Sequence, residues 1–163
     1  MNCKKSAGIL KMTNKKLIII TTSYRINKER KEPISAIDRC DGVYFRLLRK
    51  YIREEKLRNV DILIVSEKFG LIWAKDKIPY YEVHGKMGSL SLEKKAMEDL
   101  RQQNLQKLKE VVNRYSEIYV NVGREYMKLI EGFEKFTTRK ITYSVGKGLG
   151  PKALHMKEWI ISQ

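Results

Sequence analysis

Cysteine and histidine are scarce in this chain of 163 residues, which contains two of each. Cys3 and Cys40 lie far apart, as do His84 and His155, and none of them belongs to a CxxC, HExxH or HxH pattern. A structural zinc site needs about four ligands, and these positions cannot supply them. They also offer no Ser-His-Asp or Cys-His arrangement for nucleophilic catalysis. We therefore expect a reducing, cytoplasmic environment and no dedicated metal site, and the sequence identifies no cofactor.

Long hydrophobic runs are also missing. The longest, at 17–20, is far shorter than the roughly 18 residues of a membrane span. The apolar stretch at 7–10 is too short for the core of a signal peptide. Hydrophobic residues make up 42% of the chain, enough to bury a core, which excludes a wholly disordered protein. We expect a soluble protein without a membrane partner, in which a disordered extension over 1–14 precedes a single domain over 15–163. Translation from Met1 or from Met12 is left open.

Acidic residues are few relative to basic ones. There are 19 Asp and Glu against 34 Lys and Arg, which gives a formal net charge of +15. Such a domain attracts polyanions over a Debye length of about 8 Å at physiological salt. Nucleic acid, as tRNA or DNA, is the first candidate partner, and a phosphorylated small ligand is the next. The alternative is that the charge reflects composition alone, as in Lys- and Ile-rich chains from heat-loving or AT-rich organisms.

Continuous runs of β-branched and aliphatic residues predict buried strands, since a central strand is apolar on both faces. These runs lie at 17–22, 60–65, 117–122 and 140–144. The segment at 71–73 is either a short extra strand or a packed turn.

Helical patterns occupy the intervals between these strands. A capping box at 35–38 predicts the start of the first helix, followed by an apolar stripe. That stripe consists of Tyr44, Leu47, Leu48, Tyr51 and Ile52. Further helices are predicted at 91–114 with Ser91 as its cap, at 126–130, and at 153–161 with Pro151 in the first position.

The alternation of strands and helices predicts an α/β fold. We expect a three-layer Rossmann-like domain with a mostly parallel sheet of about four or five strands and helices on both faces. In open parallel sheets, ligands bind outside the carboxyl ends of the strands. The residues that follow the predicted strands are therefore the candidate ligand-binding residues, together with one tyrosine of the long loop at 76–89. They are Thr22, Ser23, Arg25, Ser66, Lys68, Gly70, Tyr80, Gly123 and Arg124.

The glycine-rich segment after the fourth strand is the sharpest of these signals. Glycines permit close backbone approach, and the following helix presents free amides and a positive dipole end, so a phosphate group is the expected ligand. The predicted phosphate-binding residues are Gly146, Lys147, Gly148, Gly150 and Lys152. The segment is neither a Walker A loop nor a GxGxxG fingerprint. The alternative is a strand-to-helix turn whose glycines serve backbone geometry only.

Other groups allow both a functional and a purely structural interpretation. In the long loop, Tyr81 and His84 could stack on a base or act in acid–base chemistry, or could simply be packed. The carboxylates nearest the predicted edge are Glu32, Glu67 and Glu82, but no catalytic residue can be assigned. His155 is expected in the core or at its rim.

A basic flank is predicted on the first long helix, made of Arg39, Arg46, Arg49, Lys50 and Arg53. Such a flank could follow a phosphate backbone. A solvated helix face is the alternative.

Three segments stand in an order that resembles a known family: 44–46, 62–71 (Ile-Leu-Ile-Val-Ser-Glu-Lys-Phe-Gly-Leu) and 78–80 (Ile-Pro-Tyr). The resemblance is to small uncharacterised α/β proteins whose middle reads ILSAkyGL…I.pY. These proteins look distantly related to YaaA-like peroxide-stress proteins and to the core domain of archaeosine tRNA synthases. The resemblance covers about 17–81, and the glycine turn followed by residues 156–159 also fits the family.

This resemblance implies a link to nucleic acids or modified bases, through DNA for the YaaA-like proteins and tRNA for the archaeosine synthases. Those relatives usually carry a Cys/Ser-Lys motif directly after the first strand. Here the position reads Thr22-Ser23-Tyr24-Arg25, so the chemistry that depends on that motif does not carry over.

Three functions follow as hypotheses. The first is a domain that binds nucleic acid or a nucleotide at the carboxyl edge of the sheet, with nucleobase or N-glycosidic chemistry as an open addition. The second is a non-catalytic module that binds polyanions on a basic helix face. The third is an enzyme acting on a small phosphorylated metabolite, with the net charge incidental. Neither catalysis nor the oligomeric state is settled by the sequence.

Overall fold

The computed structural model describes residues 14–163, so most of the predicted extension over 1–14 lies outside the described residues. Within this range the strands follow one another along the chain as follows. They are β1 (Lys16–Thr21), β2 (Ile34–Ser35), β3 (Val60–Ser66), β4 (Gly70–Trp73), β5 (Lys77–Ile78), β6 (Glu117–Asn121) and β7 (Lys140–Tyr143).

The α-helices of the described residues are α1 (Ala36–Arg39), α2 (Val43–Arg53), α3 (Lys94–Val111) and α4 (Leu149–Ile161). Shorter 3-10 helices lie at Val112–Arg114, Tyr126–Leu129 and Phe133–Phe136. None of the helices between residues 14 and 163 is long and apolar enough to cross a membrane.

Five strands form a mixed sheet in the order β4-β3-β1-β6-β7, and β2 pairs with β5 in a separate two-stranded sheet. Neighbours among β3, β1, β6 and β7 are parallel, whereas β4 runs antiparallel to β3 at the edge. The predicted α/β fold with a mostly parallel sheet of about four or five strands is thereby confirmed. The ambiguous segment at 71–73 is a strand, because the turn after β3 folds it back onto that strand.

Strand β1 lies at the centre and is buried on both faces. Its even residues Ile18 and Ile20 pack in one apolar cluster with Leu48 of α2 and Met156 of α4. Its odd residues, Leu17 and Ile19, belong to a second cluster that contains Leu108 of α3 and Phe133. A strand covered on both sides needs apolar residues at every position, which explains the continuous run in the sequence.

A helix begins at Ala36, as the pattern at 35–38 predicted, but it is the short α1 and not the long helix that carries the apolar stripe. Ser35 makes no side-chain cap, since its hydroxyl donates to the Asp38 carboxylate (2.7 Å) instead of accepting from a backbone amide. Helix α1 ends after four residues, and α2 begins only after Gly42. The buried face of α2 includes Phe45, whereas Ile52 of the predicted stripe is 44% exposed.

Two further helix starts differ from the prediction. Helix α3 begins at Lys94 with Glu93 as its N-cap, because Ser91 is bonded to Glu67 rather than to the helix. Helix α4 begins at Leu149, which places Pro151 in its third position. Proline is tolerated there because the first-turn amides have no partner within the helix.

Candidate functional site

A cavity of about 1080 Å³ lies at the carboxyl edge of the sheet. The chain leaves β1 to form β3 on one side and later returns to form β6 on the other side. At such a reversal of strand order the loops diverge and leave a crevice, which is where open α/β sheets bind ligands. Thr21, Ser66 and Asn121, the last residues of β1, β3 and β6, all line the cavity.

The segment after β1 closes one wall of this cavity through hydroxyl contacts. Thr21 Oγ1 accepts a hydrogen bond from the Gly123 amide (2.8 Å) and so ties the ends of β1 and β6 together. Thr22 Oγ1 lies 3.4 Å from both Cys40 Sγ and Tyr81 Oη. Ser23 donates to the carbonyl of Arg25 and accepts from the Asp41 amide (3.0 Å). The Ser23 hydroxyl therefore holds a turn.

Aromatic side chains form much of the cavity wall. These are Tyr24, Tyr44, Phe45, Tyr80, Tyr81 and Tyr126. Burial raises the pKa of Tyr81, and the nearby Cys40 adds to the effect. Burial also raises the pKa of Tyr126 to about 12, with Glu67 and Tyr81 contributing. Both phenols are consequently neutral at physiological pH and can donate hydrogen bonds to a ligand.

Two carboxylates of the lining, Glu67 and Glu82, are hydrogen-bonded to other lining residues. Glu67 accepts hydrogen bonds from both the amide (3.0 Å) and the hydroxyl of Ser91. The Tyr80 hydroxyl donates to Glu82 (2.6 Å), which lowers the pKa of Glu82 and raises that of Tyr80. Lys31 Nζ lies 4.0 Å from the centre of the Tyr80 ring. Both carboxylates thus have hydrogen-bond partners within the lining of the cavity.

The cations around the cavity differ in how far they are neutralised. Asp41 pairs with Arg46 (3.1 Å), Arg49 (2.8 Å) and Arg25 (3.8 Å), and the hydrogen bond from Arg46 is the main cause of its lowered pKa. Lys68 lies 5.6 Å from the centre of the Tyr81 ring. Asp41 offsets only one of these three guanidinium charges, so arginines and lysines both contribute positive charge to the lining.

The glycine turn divides into two parts. Gly148, the N-cap of α4, lines the cavity together with Lys152, whereas Gly146, Lys147 and Gly150 are outside the lining. Gly146 has φ +130°, and a Cβ there would lie 2.5 Å from Pro151 Cβ. Gly146 therefore serves the geometry of the turn, and the predicted phosphate-binding residues that line the cavity are Gly148 and Lys152.

The structure brings most of the remaining candidates to the cavity. Its lining includes Thr22, Ser23, Arg25, Ser66, Lys68, Tyr80 and Gly123, and also Tyr81, His84, Glu67 and Glu82. Gly70 lies elsewhere: it has φ +72° and packs beneath α3, where an added Cβ would be 3.1 Å from Asn104 Oδ1. Arg124 and Glu32 are also outside the lining, and Glu32 pairs with Arg30.

The predicted basic flank is not a continuous solvated surface. Arg39 is fully buried, and its guanidinium donates to the carbonyls of Asn27 and Glu32, among others. Arg49 donates to the carbonyls of Ile37 (2.7 Å) and Cys40 (2.6 Å). A buried arginine can satisfy several carbonyls at once, and the sequence pattern did not reveal this use.

Several lining residues were missed by the sequence analysis, above all Asp41, Tyr44 and Tyr126. Asn121 lies in the predicted strand at 117–122, next to the predicted residues Gly123 and Arg124, in a segment that strand order alone brings to the carboxyl edge. Tyr44 was assigned to the apolar stripe of its helix. His155 lies at the rim of the core, where its Nδ1 is 2.8 Å from Tyr119 Oη.

Among residues 14–163, no group of three or more His, Cys, Asp or Glu side chains is arranged to hold a metal ion. The lining of the cavity contains hydroxyl, amide, aromatic and cationic groups together with the carboxylates of Asp41, Glu67 and Glu82.

Comparison with known proteins supports the α/β class. No family model and no curated protein matches the chain. The crystal structure of AF0587, a protein of unknown function, is similar, with a TM-score of 0.51 and 14% sequence identity. The match covers 91% of this chain and 45% of that one, so the chain spans less than half the length of AF0587. At this identity the likeness shows the fold alone.

Proposed function

We propose that the chain binds a nucleotide unit, free or as part of a nucleic acid, in the cavity at the carboxyl edge of the sheet. The observation that carries the proposal is the composition of this cavity. Six aromatic rings line it, and Gly148 and Lys152 lie at the start of α4. Rings of this kind stack on bases without regard to sequence, and a helix N-terminus with a lysine suits a phosphate.

The size of the cavity agrees with this ligand class. Small-molecule sites commonly have volumes of about 300–1000 Å³, and the cavity of about 1080 Å³ is slightly larger than the upper end of that range. A nucleotide needs both an apolar slot for its base and donors for its phosphate. The aromatic wall and the start of α4 meet these two needs within a single cavity.

The proposal also includes a more detailed classification of the fold. We assign the chain to a three-layer Rossmann-like arrangement, distantly related to the YaaA-like proteins and the archaeosine synthase core. The two apolar clusters that share β1 support the arrangement. A cytoplasmic location is part of the proposal as well, since Cys40 is a buried free thiol.

The loop after β1 favours binding over covalent catalysis. Ser23 stands near the position where the relatives carry their Cys/Ser-Lys motif, but its hydroxyl is bonded to Arg25 and Asp41 within the turn. A serine nucleophile needs an adjacent general base, and the bonded partners here are a carbonyl and an amide. The proposal is therefore one of binding, and nucleobase or N-glycosidic chemistry remains a separate hypothesis.

The test is a set of binding isotherms for tRNA and duplex DNA at several salt concentrations. The slope of log K against log salt, near −0.9 per neutralised phosphate for duplex DNA, counts the contacts. A cavity variant, Lys68→Ala with Lys152→Ala, is compared with a matched flank variant, Lys50→Ala with Arg53→Ala. Each removes two positive charges. We expect the cavity variant to bind about tenfold or more weakly and the flank variant to bind nearly as the parent.

The other outcomes identify the competing functions. A flank variant that loses as much affinity as the cavity variant would indicate a polyanion-binding module without a pocket. Weak binding, equal for both polymers and lost at physiological salt, would make the net charge incidental. In that case a small phosphorylated metabolite that binds the chain would indicate the third function.

A further inference from the structure

A second cavity, of about 1010 Å³, adjoins the first. The two cavities share part of their walls, because the same five residues line both: Tyr24, Arg25, Asp41, Glu82 and Val83. Each cavity alone is large enough for a small-molecule ligand. A ligand that extends through both can therefore contain two linked nucleotide units.

The backbone of this shared wall is fixed from inside the protein. The Asn27 amide donates to the Arg39 carbonyl (2.8 Å). The Asp41 amide donates to the Arg25 carbonyl (2.9 Å). Ile26 lies in an antiparallel bridge and is buried, and side chains alternate along an extended segment. Arg25 and Asn27, on either side of Ile26, therefore point away from the core, so the wall presents them to a ligand from a fixed backbone.

Tyr24 is the aromatic residue of the shared wall. It is 48% exposed, and neither its ring nor its hydroxyl has a hydrogen-bond or ring partner within residues 14–163. An exposed ring at the junction of two cavities is placed to stack on a base, and such stacking does not depend on which base is present.

Arg25 supplies positive charge at the same junction. Its side chain is 72% exposed, and its carboxylate partner, Asp41, is 3.8 Å away. Asp41 lies closer to Arg46 (3.1 Å) and to Arg49 (2.8 Å). The Arg25 guanidinium is consequently the least neutralised of the three. A guanidinium at this position suits the phosphate group that links two nucleotides.

The remainder of the second cavity offers both hydrogen-bond donors and acceptors. Its lining includes Asn27, Lys28, Arg30 and Asp38, and cations and carboxylates are equal in number over the whole lining. A balanced set of this kind does not select phosphate. It suits the edge of a base or the hydroxyls of a sugar, because these groups also carry both donors and acceptors.

We propose that the two cavities form one groove for single-stranded nucleic acid. Consecutive nucleotides occupy the two cavities, the Tyr24 ring stacks on a base at the junction, and the Arg25 guanidinium contacts the phosphate that joins the nucleotides. The strand is single, because the bases of a duplex are stacked on one another and their faces are closed to a protein ring. This inference rests on the proposed function and deepens it, since it selects a polymer over a free nucleotide.

The test measures how the affinity depends on the length of the strand. Strands of one to four nucleotides with mixed base composition, as RNA and as DNA, compete at physiological salt with a fluorescent single strand for the parent protein. We expect the affinity to rise about tenfold or more from one nucleotide to two, because the second cavity is then filled. A longer strand should bind more tightly than the same strand annealed to its complement.

Variants assign this gain to the junction. Tyr24→Ala should weaken binding of the dinucleotide about tenfold more than binding of the mononucleotide, whereas Tyr24→Phe keeps the ring and should bind like the parent. Arg25→Ala should reduce the slope of log K against log salt by about one. The matched controls are Tyr143→Ala and Arg58→Ala. These residues are similarly exposed and lie outside both linings, so their loss should leave the affinity unchanged.

Three results would overturn the groove: no rise in affinity beyond one nucleotide, equal losses for mononucleotide and dinucleotide in Tyr24→Ala, or a duplex that binds as tightly as its single strand. With any of these, mononucleotides still bind and the proposed function stands. If the parent chain binds neither mononucleotides nor strands, the proposed function itself fails. A length-dependent gain with either RNA or DNA supports the groove, and the tighter polymer identifies the sugar that it accepts.

Discussion

Arg39 shows, at the scale of a single residue, how a charged side chain can organise a loop from inside the protein. It is the last residue of α1 and is fully buried. Its Nη1 donates to the carbonyls of Asn27 (2.9 Å) and Arg30 (2.6 Å), and its Nη2 donates to that of Glu32 (2.8 Å). These carbonyls belong to the segment between β1 and β2, of which the first residues, 22–25, line the cavity. The planar guanidinium spans three acceptors that no single amide or ammonium could reach in this geometry.

Arg39→Ala should therefore destabilise the protein by about 3 kcal/mol or more, since it removes three charge-assisted hydrogen bonds and empties the buried space of the arginine side chain. Arg39→Lys should recover only a small part of this loss, because a point charge cannot replace the fork. The measurement is the free energy of unfolding from urea denaturation. Arg53→Ala, an exposed change on α2, is the control and should stay within about 0.5 kcal/mol of the parent. A loss below about 1 kcal/mol for Arg39→Ala would mean that other contacts hold this segment.

At the scale of one element, the turn before α4 decides where the helix begins and what its amides face. Gly146 and Gly148 both have positive φ, +130° and +82°. The two glycines differ in their surroundings, because a Cβ at Gly146 would meet Pro151 whereas a Cβ at Gly148 would meet open space. Gly150 lies inside the first turn of α4, without positive φ and without close neighbours.

Gly146→Ala and Gly150→Ala should consequently have opposite effects. The first combines backbone strain with a clash against a proline ring and should cost about 1–3 kcal/mol of stability. The second replaces a flexible residue in a helix and should be neutral or stabilise by up to about 1 kcal/mol. Thermal and urea denaturation of the two variants would show the difference. Equal effects would contradict the role assigned to Gly146.

At the scale of the whole molecule, the net charge of +15 is a source of self-repulsion in the compact state. The start of α3 adds a local conflict: Lys94 and Lys95 occupy its first turn, and no acidic residue lies in that turn. The positive end of a helix dipole disfavours cations at this place.

Lys94→Glu combined with Lys95→Glu should raise the melting temperature at low ionic strength. Each reversal at the helix start should contribute about 0.3–1 kcal/mol, and about 1 kcal/mol corresponds to roughly 2–4 °C for a protein of this size. Reversal of the exposed Lys75 and Lys77 changes the net charge equally but lies outside α3, so it isolates the global effect. Scanning calorimetry at low and high NaCl is the measurement. A gain that persists unchanged at high salt would argue against an electrostatic cause.

The elements differed in how well they could be predicted. The four β-branched runs were assigned correctly to within about one residue, since a strand that is apolar at every position leaves few alternatives. Helix starts were less predictable. Ser35 and Ser91 have the residue type of a cap, but each is engaged by a carboxylate, Asp38 and Glu67, respectively. The side-chain partner of a serine is decided by tertiary contacts as well as by its neighbours in the chain.

By itself, the sequence determined the α/β class, the central strand and the edge at which a ligand is expected, because these follow from local periodicity and from the shared direction of parallel strands. Only the tertiary structure decided which residues meet in the cavity. Gly70 and Arg39 were drawn into packing, and Lys147 was left outside the lining, while Asn121 and Tyr44 were brought to it. The physical reason is that burial and hydrogen-bond pairing depend on distances between segments far apart in the chain. Residue types and their spacing along the sequence do not specify these distances.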